Sequence, residues 1–298
     1  MIKTILVPVG AAVTDAPQFA AAVWVARLFS GHIDFLYARV EPVEAATDAA
    51  AFLGGAIVSP DMIERLESAA TEREEKAFNA YRSFCEMEKL TVADAPAGPG
   101  SVSVAWHRET GTAADWVTSY GRTSDLLVVG RSVSSVPATT QILQTTLFDT
   151  GRPVLIPGSV PPDLDTVALA WKSTRETAHA VTAAMPFLTR AKRIVVLAAA
   201  DSEPVNRESC ERLVRSLRRQ HSMVDASYLD LGFAGRRRSV IGCRSQDRRR
   251  PLRDGSLRPR SIAGVHLRWS HRTRGPRCRR VRADGSLAHR QAPGAAHS

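Results

Sequence analysis

Short apolar runs alternate with longer stretches of helical spacing through the first half of the chain. Ile5-Leu6-Val7-Pro8-Val9 is the continuous apolar run of a buried strand. Residues 16–30 follow with helical spacing, capped by Thr14 or Asp15 and stopped by Gly31. Residues 33–40 predict a second strand. Met62, Leu66, Ala69, Arg73, Ala77, Ala80 and Phe84 then recur at three- and four-residue intervals, leaving Glu72, Glu74, Glu75 and Lys76 on the remaining surface. Strands are predicted at 101–106, 125–129 and 153–156, with helices at 113–120 and 139–149 between them. Strands and helices alternate strictly, the signature of a parallel sheet built from βαβ units.

The order then begins again. Gly158-Ser159-Val160-Pro161-Pro162-Asp163 has the composition of an exposed linker. Val167-Ala168-Leu169-Ala170-Trp171 repeats the first strand and 174–190 the first helix, which Pro186 bends or shortens. Residues 193–199 give a strand, 205–220 a helix through Cys210, Leu213, Val214 and Leu217, and 223–229 a third strand. The second copy stops there. The expected fold is α/β: a domain over 1–158 with an open, doubly wound, five-stranded parallel sheet, a linker at 159–165, a partial second copy over 166–232, and a tail over 233–298.

Charge separates that tail from the rest. It holds eighteen Arg, no Lys and no Glu, against Asp247, Asp254 and Asp284, for a net +15. The whole chain is +10, so residues 1–232 carry −5 and form a mildly acidic body. A basic protein suggests nucleic acid as a partner, but here the basicity describes the tail. Pro251, Pro259 and Pro276 interrupt any helix in it, and its large aromatics are Phe233 and Trp269, too few for a stacking platform. Such a segment cannot repay its ordering entropy and is expected to be disordered. Its composition favours translation in the wrong frame of a GC-rich message over a selected disordered appendage or a nucleic-acid arm. No apolar run reaches the length of a membrane span, and the chain enters its first strand with no cleavage region, so a cytoplasmic protein is expected. Cys85, Cys210, Cys243 and Cys278 are scattered, as isolated thiols are.

The opening Lys3-Thr4-Ile5-Leu6-Val7-Pro8-Val9, the strand Asp125-Leu126-Leu127-Val128-Val129-Gly130 and the closing Arg152-Pro153-Val154-Leu155-Ile156 resemble, in order and spacing, the universal stress protein family. Val167-Ala168-Leu169-Ala170-Trp171-Lys172-Ser173-Thr174-Arg175-Glu176 resembles the start of the second domain in its tandem members. The resemblance implies a nucleotide cleft at the carboxyl ends of the strands, with an acid after the first strand and a Gly-x2-Gly-x9-Gly-Ser/Thr signature after the fourth. Matched residue by residue, the cleft would be lined by Val9, Gly10, Val40, Gly130, Arg131, Thr140 and Gln141. Gly10 stands where the acid is expected, Val133 replaces the second glycine, and Thr140-Gln141 replaces the final pair on a loop stiffened by Val136-Pro137. Gly130 would then merely end a strand. Lys172 takes the acid's position in the second copy, where no glycine signature follows. ATP is therefore not expected to bind, and no other cofactor is indicated.

Other chemistry is sparse. His32, His107, His179 and His221 form no ligand pair at helical spacing, so no metal site is expected. Trp106-His107-Arg108-Glu109 reads as a strand end entering a loop near the cleft, a composition that also suits a ligand site. Ser132, Ser134 and Ser135 lack a nucleophile elbow, and no catalytic residue is indicated. The resemblance implies a non-catalytic stress-response or regulatory protein acting as a homodimer or through a partner protein. An ATP-binding switch or weak ATPase is the alternative, and nucleic-acid binding through the tail a third.

Overall fold

A computed structural model describes residues 1–10, 15–43, 47, 59–94, 100–130, 137–158, 163–199, 204–229 and 266–268. The first sheet contains β1 (Thr4–Pro8), β2 (His32–Arg39), β3 (Thr91–Val92), β4 (Ser103–Thr110), β5 (Leu126–Val128) and β6 (Val154–Ile156). These six strands are parallel, in the order β6-β5-β1-β2-β4-β3. The doubly wound α/β fold is as expected, with one strand more than the five read from the pattern. That strand, β3, is two exposed residues, too short and too polar-facing to leave a periodic signal. A further strand, β10 (His266–Arg268), lies within the arginine-rich tail and pairs antiparallel with β6; the rest of that tail lies outside the described residues.

Helices α1 (Asp15–Phe29), α2 (Pro60–Glu88), α3 (Ala113–Thr123) and α4 (Pro137–Phe148) connect these strands. Alternate residues of the buried strands supply two cores. Ile5, Val7, Ile33, Phe35 and Leu126 face α1 and α2, where Phe19, Ala22, Tyr81 and Phe84 meet them. Leu6, Leu36, Leu127, Val154 and Ile156 face α3 and α4, which contribute Val117 and Leu147.

Local chemistry fixes the helix ends. Ser59 caps α2 by accepting from the Met62 amide at 3.3 Å, with Pro60 in the first turn. Thr112 caps α3 in the same way. At the end of α1 the left-handed residue is Ser30, with φ of 51°, rather than the expected Gly31. Lys3 Nζ donates to the carbonyls of Phe29 and Ser30 at 2.8 and 2.9 Å, satisfying that helix end. Gly31 serves a different need: a Cβ there would stand 3.2 Å from the Lys3 carbonyl.

The α2 stripe is rotated from its expected position. Ala70, Ala77, Tyr81, Phe84 and Cys85 are buried, while Ala69, Arg73 and Ala80 are exposed. Glu74, expected on the surface, accepts from Arg39 at 2.8 Å and from Arg108 at 2.5 Å. Strand β4 runs four residues beyond its expected end, because its register with β2 continues to the pair Arg39 and Thr110. Trp106-His107-Arg108-Glu109 is therefore strand, not the start of a loop.

The second sheet, β7 (Thr166–Ala170), β8 (Arg193–Ala199) and β9 (Val224–Leu229), is parallel in the order β7-β8-β9. Helices α5 (Arg175–Leu188) and α6 (Pro204–Leu217) cover one face, through Ala184, Leu188, Cys210, Val214 and Leu217. On the other face Val195 and Leu197 are half-buried, and no helix among the described residues covers them. Pro186 sits inside α5, which ends two residues later.

Phe187 joins the two halves. Its ring lies 6.1 Å from Trp24, stacked, and 5.2 Å from Phe29, edge-on, while the Arg190 guanidinium lies 4.5 Å over Phe29. This explains why α1 is apolar nearly all round: it faces a sheet on one side and α5 on the other. Phe187→Ala is expected to cost about 3–5 kcal/mol, read as a lower urea midpoint. An unchanged midpoint would show that the ring contributes nothing to the junction.

Candidate functional site

The chain visits β1, β2 and β4 on one side before returning to place β5 on the other side of β1. That reversal places the switch in strand order at the carboxyl ends of β1 and β5, the usual ligand position in open α/β sheets. Val9 and Gly10 follow β1, Val40 follows β2, and Gly130 follows β5, so these four residues gather at that edge. Val9 is buried and its amide donates to the Leu36 carbonyl at 2.8 Å, prolonging the strand ladder. Val40 is exposed. Arg131, Val133 and the serines at 132, 134 and 135 lie outside the described residues.

That edge is closed by a residue that the sequence pattern did not single out. Gln18, on the first turns of α1, is 4% exposed. Its Nε2 donates to the carbonyls of Pro8 at 2.8 Å and Val128 at 2.9 Å, and its Oε1 accepts from the Gly130 amide at 3.1 Å. One side-chain amide thus satisfies the last groups of β1 and β5 together, using both donor hydrogens and its acceptor. A Cβ on Gly130 would stand 3.0 Å from Gln18 Oε1, so glycine there admits the clamp. The available signal was a lone amide on an otherwise apolar helix, in line with Ala22 and Val25.

The described polar groups at this edge are bonded within the protein itself. The Gly130 amide, the donor a phosphate would need, is already bonded to Gln18. A Cβ on Gly10 would meet nothing within 4 Å, so packing does not forbid an acid there, yet the chain has none. Thr140 and Gln141 are exposed residues within α4. They do not stand at its first position, which Pro137 occupies at no hydrogen-bonding cost. Pro137 is thus a helix start, correcting its reading as part of a stiff loop.

The equivalent edge of the second sheet is also occupied. The Trp171 amide donates to Leu197 O at 2.7 Å, and its indole Nε1 donates to Ser209 Oγ at 3.1 Å. Ser209 Oγ in turn donates to Ser173 Oγ at 3.1 Å, and the Ser173 amide to Asn206 Oδ1 at 3.3 Å. Lys172 is exposed beside this network. An open cavity of about 540 Å³, lined by Arg212, Arg215, Ser216, Arg218 and Arg219, lies along the last turns of α6 and so toward the opposite, amino-terminal end of the strands.

Two histidines that look unrelated in sequence converge on one acid. His32 Nε2 and His107 Nε2 lie 3.2 and 2.8 Å from Asp34 Oδ1. Burial acts to raise the Asp34 pKa, but the hydrogen bond with His107 and the proximity of the His32 ring outweigh it and hold the carboxyl down to about 2. The hydrogen bond to Asp34 raises the His107 pKa against the effect of burial. His32 Nδ1 also lies 2.8 Å from Ser103 Oγ. Ser103, His32 and Asp34 have the composition of a hydrolytic triad, but Ser103 is 1% exposed and its hydroxyl is sealed from substrate.

Among the described residues there is no group of three metal-ligating side chains placed to hold an ion. Cys85 and Cys210 are free and buried; Cys243 and Cys278 lie outside the described residues. Burial pushes the Cys85 thiol up to about 11, away from nucleophilic use. No described helix is long and apolar enough to cross a membrane.

Among solved structures, the chain is similar to a universal stress protein from Archaeoglobus fulgidus, with a TM-score of 0.48 and 12% identity, over 75% of this chain and 77% of that one. It is also similar to the universal stress protein UspA from Lactobacillus plantarum, with a TM-score of 0.37 and 17% identity, over 52% of this chain and 97% of that one. No protein-family model matches the chain, and no curated protein matches it.

Proposed function

We propose that this chain is a non-catalytic stress-response or regulatory protein of the universal stress protein type, acting through self-association or a protein partner, with a nucleotide cleft that has lost ATP. The observation that carries this reading is the Gln18 clamp: the amide of Gly130 and the carbonyls of Pro8 and Val128 are bonded to a side chain of the protein itself. A phosphate arriving there would have to displace three hydrogen bonds and would find no acid at Gly10 to hold a ribose. Retaining the fold while filling the cleft leaves surfaces, rather than chemistry, as the means of action.

Calorimetric titration of residues 1–232 with ATP and magnesium tests this, the tail being omitted so that its arginines do not supply a nonspecific anion site. Binding no tighter than millimolar is expected. A micromolar dissociation constant would overturn the degenerate-cleft reading in favour of an ATP-binding switch.

A further inference from the structure

The end of α6 concentrates one sign of charge. Cys210, Val214 and Leu217 turn inward to the second core, which leaves Arg212, Arg215, Ser216 and Arg219 together on the outer side at spacings of three and four residues. Residues 212–219 hold four Arg and no acid, in a body over 1–232 that carries −5. Those four arginines and Ser216 line the open cavity of about 540 Å³, within the size range of small-ligand sites.

Helix capping does not account for them. The last carbonyls are satisfied by backbone amides: Val214 accepts from Arg218 at 3.0 Å, Ser216 from Arg219 at 3.2 Å and Leu217 from Gln220 at 2.9 Å. Arg218 is fixed as one wall, its Nε and Nη2 donating to the Val224 carbonyl at 3.0 and 2.9 Å. Arg212 reaches back to Glu208 at 3.3 Å. The side chains of Arg215 and Arg219 have no hydrogen-bond or ion-pair partner among the described residues.

The basic groups nearby are engaged elsewhere. At the same end of the second sheet Lys192 pairs with Asp165 and Arg193 with Asp225, each at 2.6 Å, and Arg190 lies over the Phe29 ring. Unpaired positive charge is therefore gathered in one concave site instead of being spread along a track. A cleft of one sign focuses its field on what enters it.

We propose that this cavity binds a compact anion bearing two or more phosphoryl groups, held by Arg215 and Arg219 against the fixed Arg218, with Ser216 as a further donor. This goes beyond the regulatory reading above and does not rest on it. A guanidinium matches phosphate oxygens with two parallel N–H donors, and two such groups about one turn apart suit neighbouring phosphoryl groups of one ligand. The lining holds no aromatic or aliphatic side chain, so recognition falls on the phosphate chain and not on a base or a lipid tail. The negative end of the helix dipole opposes an anion here, but it amounts to about half a charge against four guanidiniums.

Arginine-selective labelling of the full chain with phenylglyoxal tests this, each position being read by peptide mass spectrometry so that the tail is scored separately. The probe is inorganic tripolyphosphate, against sodium chloride at matched ionic strength. Labelling of Arg215 and Arg219 is expected to slow several-fold with tripolyphosphate, while Arg82 and Arg175, with side-chain exposures of 63% and 56%, keep the rates they have in chloride. In the double variant Arg215→Gln with Arg219→Gln, the protection of Arg212 is expected to disappear. Both residues are exposed, so the substitutions leave the core intact. Equal slowing at all of these arginines, or protection of Arg212 that survives the double substitution, overturns the proposal. So does protection by a single-stranded oligonucleotide where tripolyphosphate gives none. ATP binding that the double variant abolishes supports this site and leaves the reading of the cleft at β1 and β5 unaffected.

Discussion

Gln18→Leu is expected to lower folding stability by about 3 kcal/mol, from about 1 kcal/mol for each of three polar groups left without its partner. Leucine fills nearly the same space, so the loss is one of hydrogen bonding rather than volume. The carbonyls of Pro8 and Val128 and the amide of Gly130 lie at strand ends, where water replaces part of what the amide supplied. The loss per group therefore falls at the lower end of the range for unsatisfied groups. Gln18→Glu is expected to be worse than Gln18→Leu near neutral pH. A carboxylate still accepts from Gly130 but sets negative charge against two carbonyl oxygens in a site that is 4% exposed. Urea unfolding of the three proteins checks both statements. A loss under about 1 kcal/mol for leucine, or a glutamate variant as stable as the wild type, would show that the clamp does not hold β1 and β5 together.

A restored reading frame is expected to have the larger effect on the second half. We propose that a base was gained or lost near codons 231–238, just beyond the end of β9 at Leu229. An arginine codon of the CGN type read one base later becomes GNN, which encodes Val, Ala, Asp, Glu or Gly. Arg236-Arg237-Arg238 and Arg248-Arg249-Arg250 then become small and acidic residues suited to an α/β helix. Trp269, from TGG, becomes glycine about 100 residues after the start of β7, near the separation of about 120 between Val7 and Gly130. The second sheet has the corresponding need. Val195 and Leu197 face away from α5 and α6, Leu229 is exposed, and β7 is an edge with no described partner beyond it. In the first sheet the equivalent face is covered by α3 and α4, and the equivalent edge by β5 and β6. Apolar strand residues without a described cover and an edge without a described partner favour aggregation. The chain as written is accordingly expected to aggregate more readily than the frame-restored protein, and to lack a cooperative unfolding transition for its second half. Three-frame translation of the coding DNA and denaturation of both proteins check this. The idea fails if neither alternative frame stays open past codon 290 with a glycine signature and a closing apolar strand, or if the present chain is monomeric with that second transition.

The order of strands and helices was legible in the sequence because it is written in local spacing. An apolar run such as Ile5-Leu6-Val7 has few alternatives to a buried strand, and its recurrence as Val167-Ala168-Leu169 marks the second copy by the same physics. The change of composition after Gly232 is equally local, as is the absence of the family's glycines from the expected phosphate loop. Tertiary structure decided what depends on distant partners. Strand β3 exists because β4 offers it an edge, not because Thr91-Val92 is strongly apolar. Asp34 and His107, 73 residues apart, meet because a parallel ladder aligns β2 with β4. Gln18 and Gly130, 112 residues apart, meet because β5 returns to the far side of β1 and brings its end under α1. The spacing of apolar residues fixes which side of an element faces inward. It carries no record of which polar group will be waiting there, and the burial of Gln18, Asp34 and His32 became favourable through partners that only the completed sheet supplies.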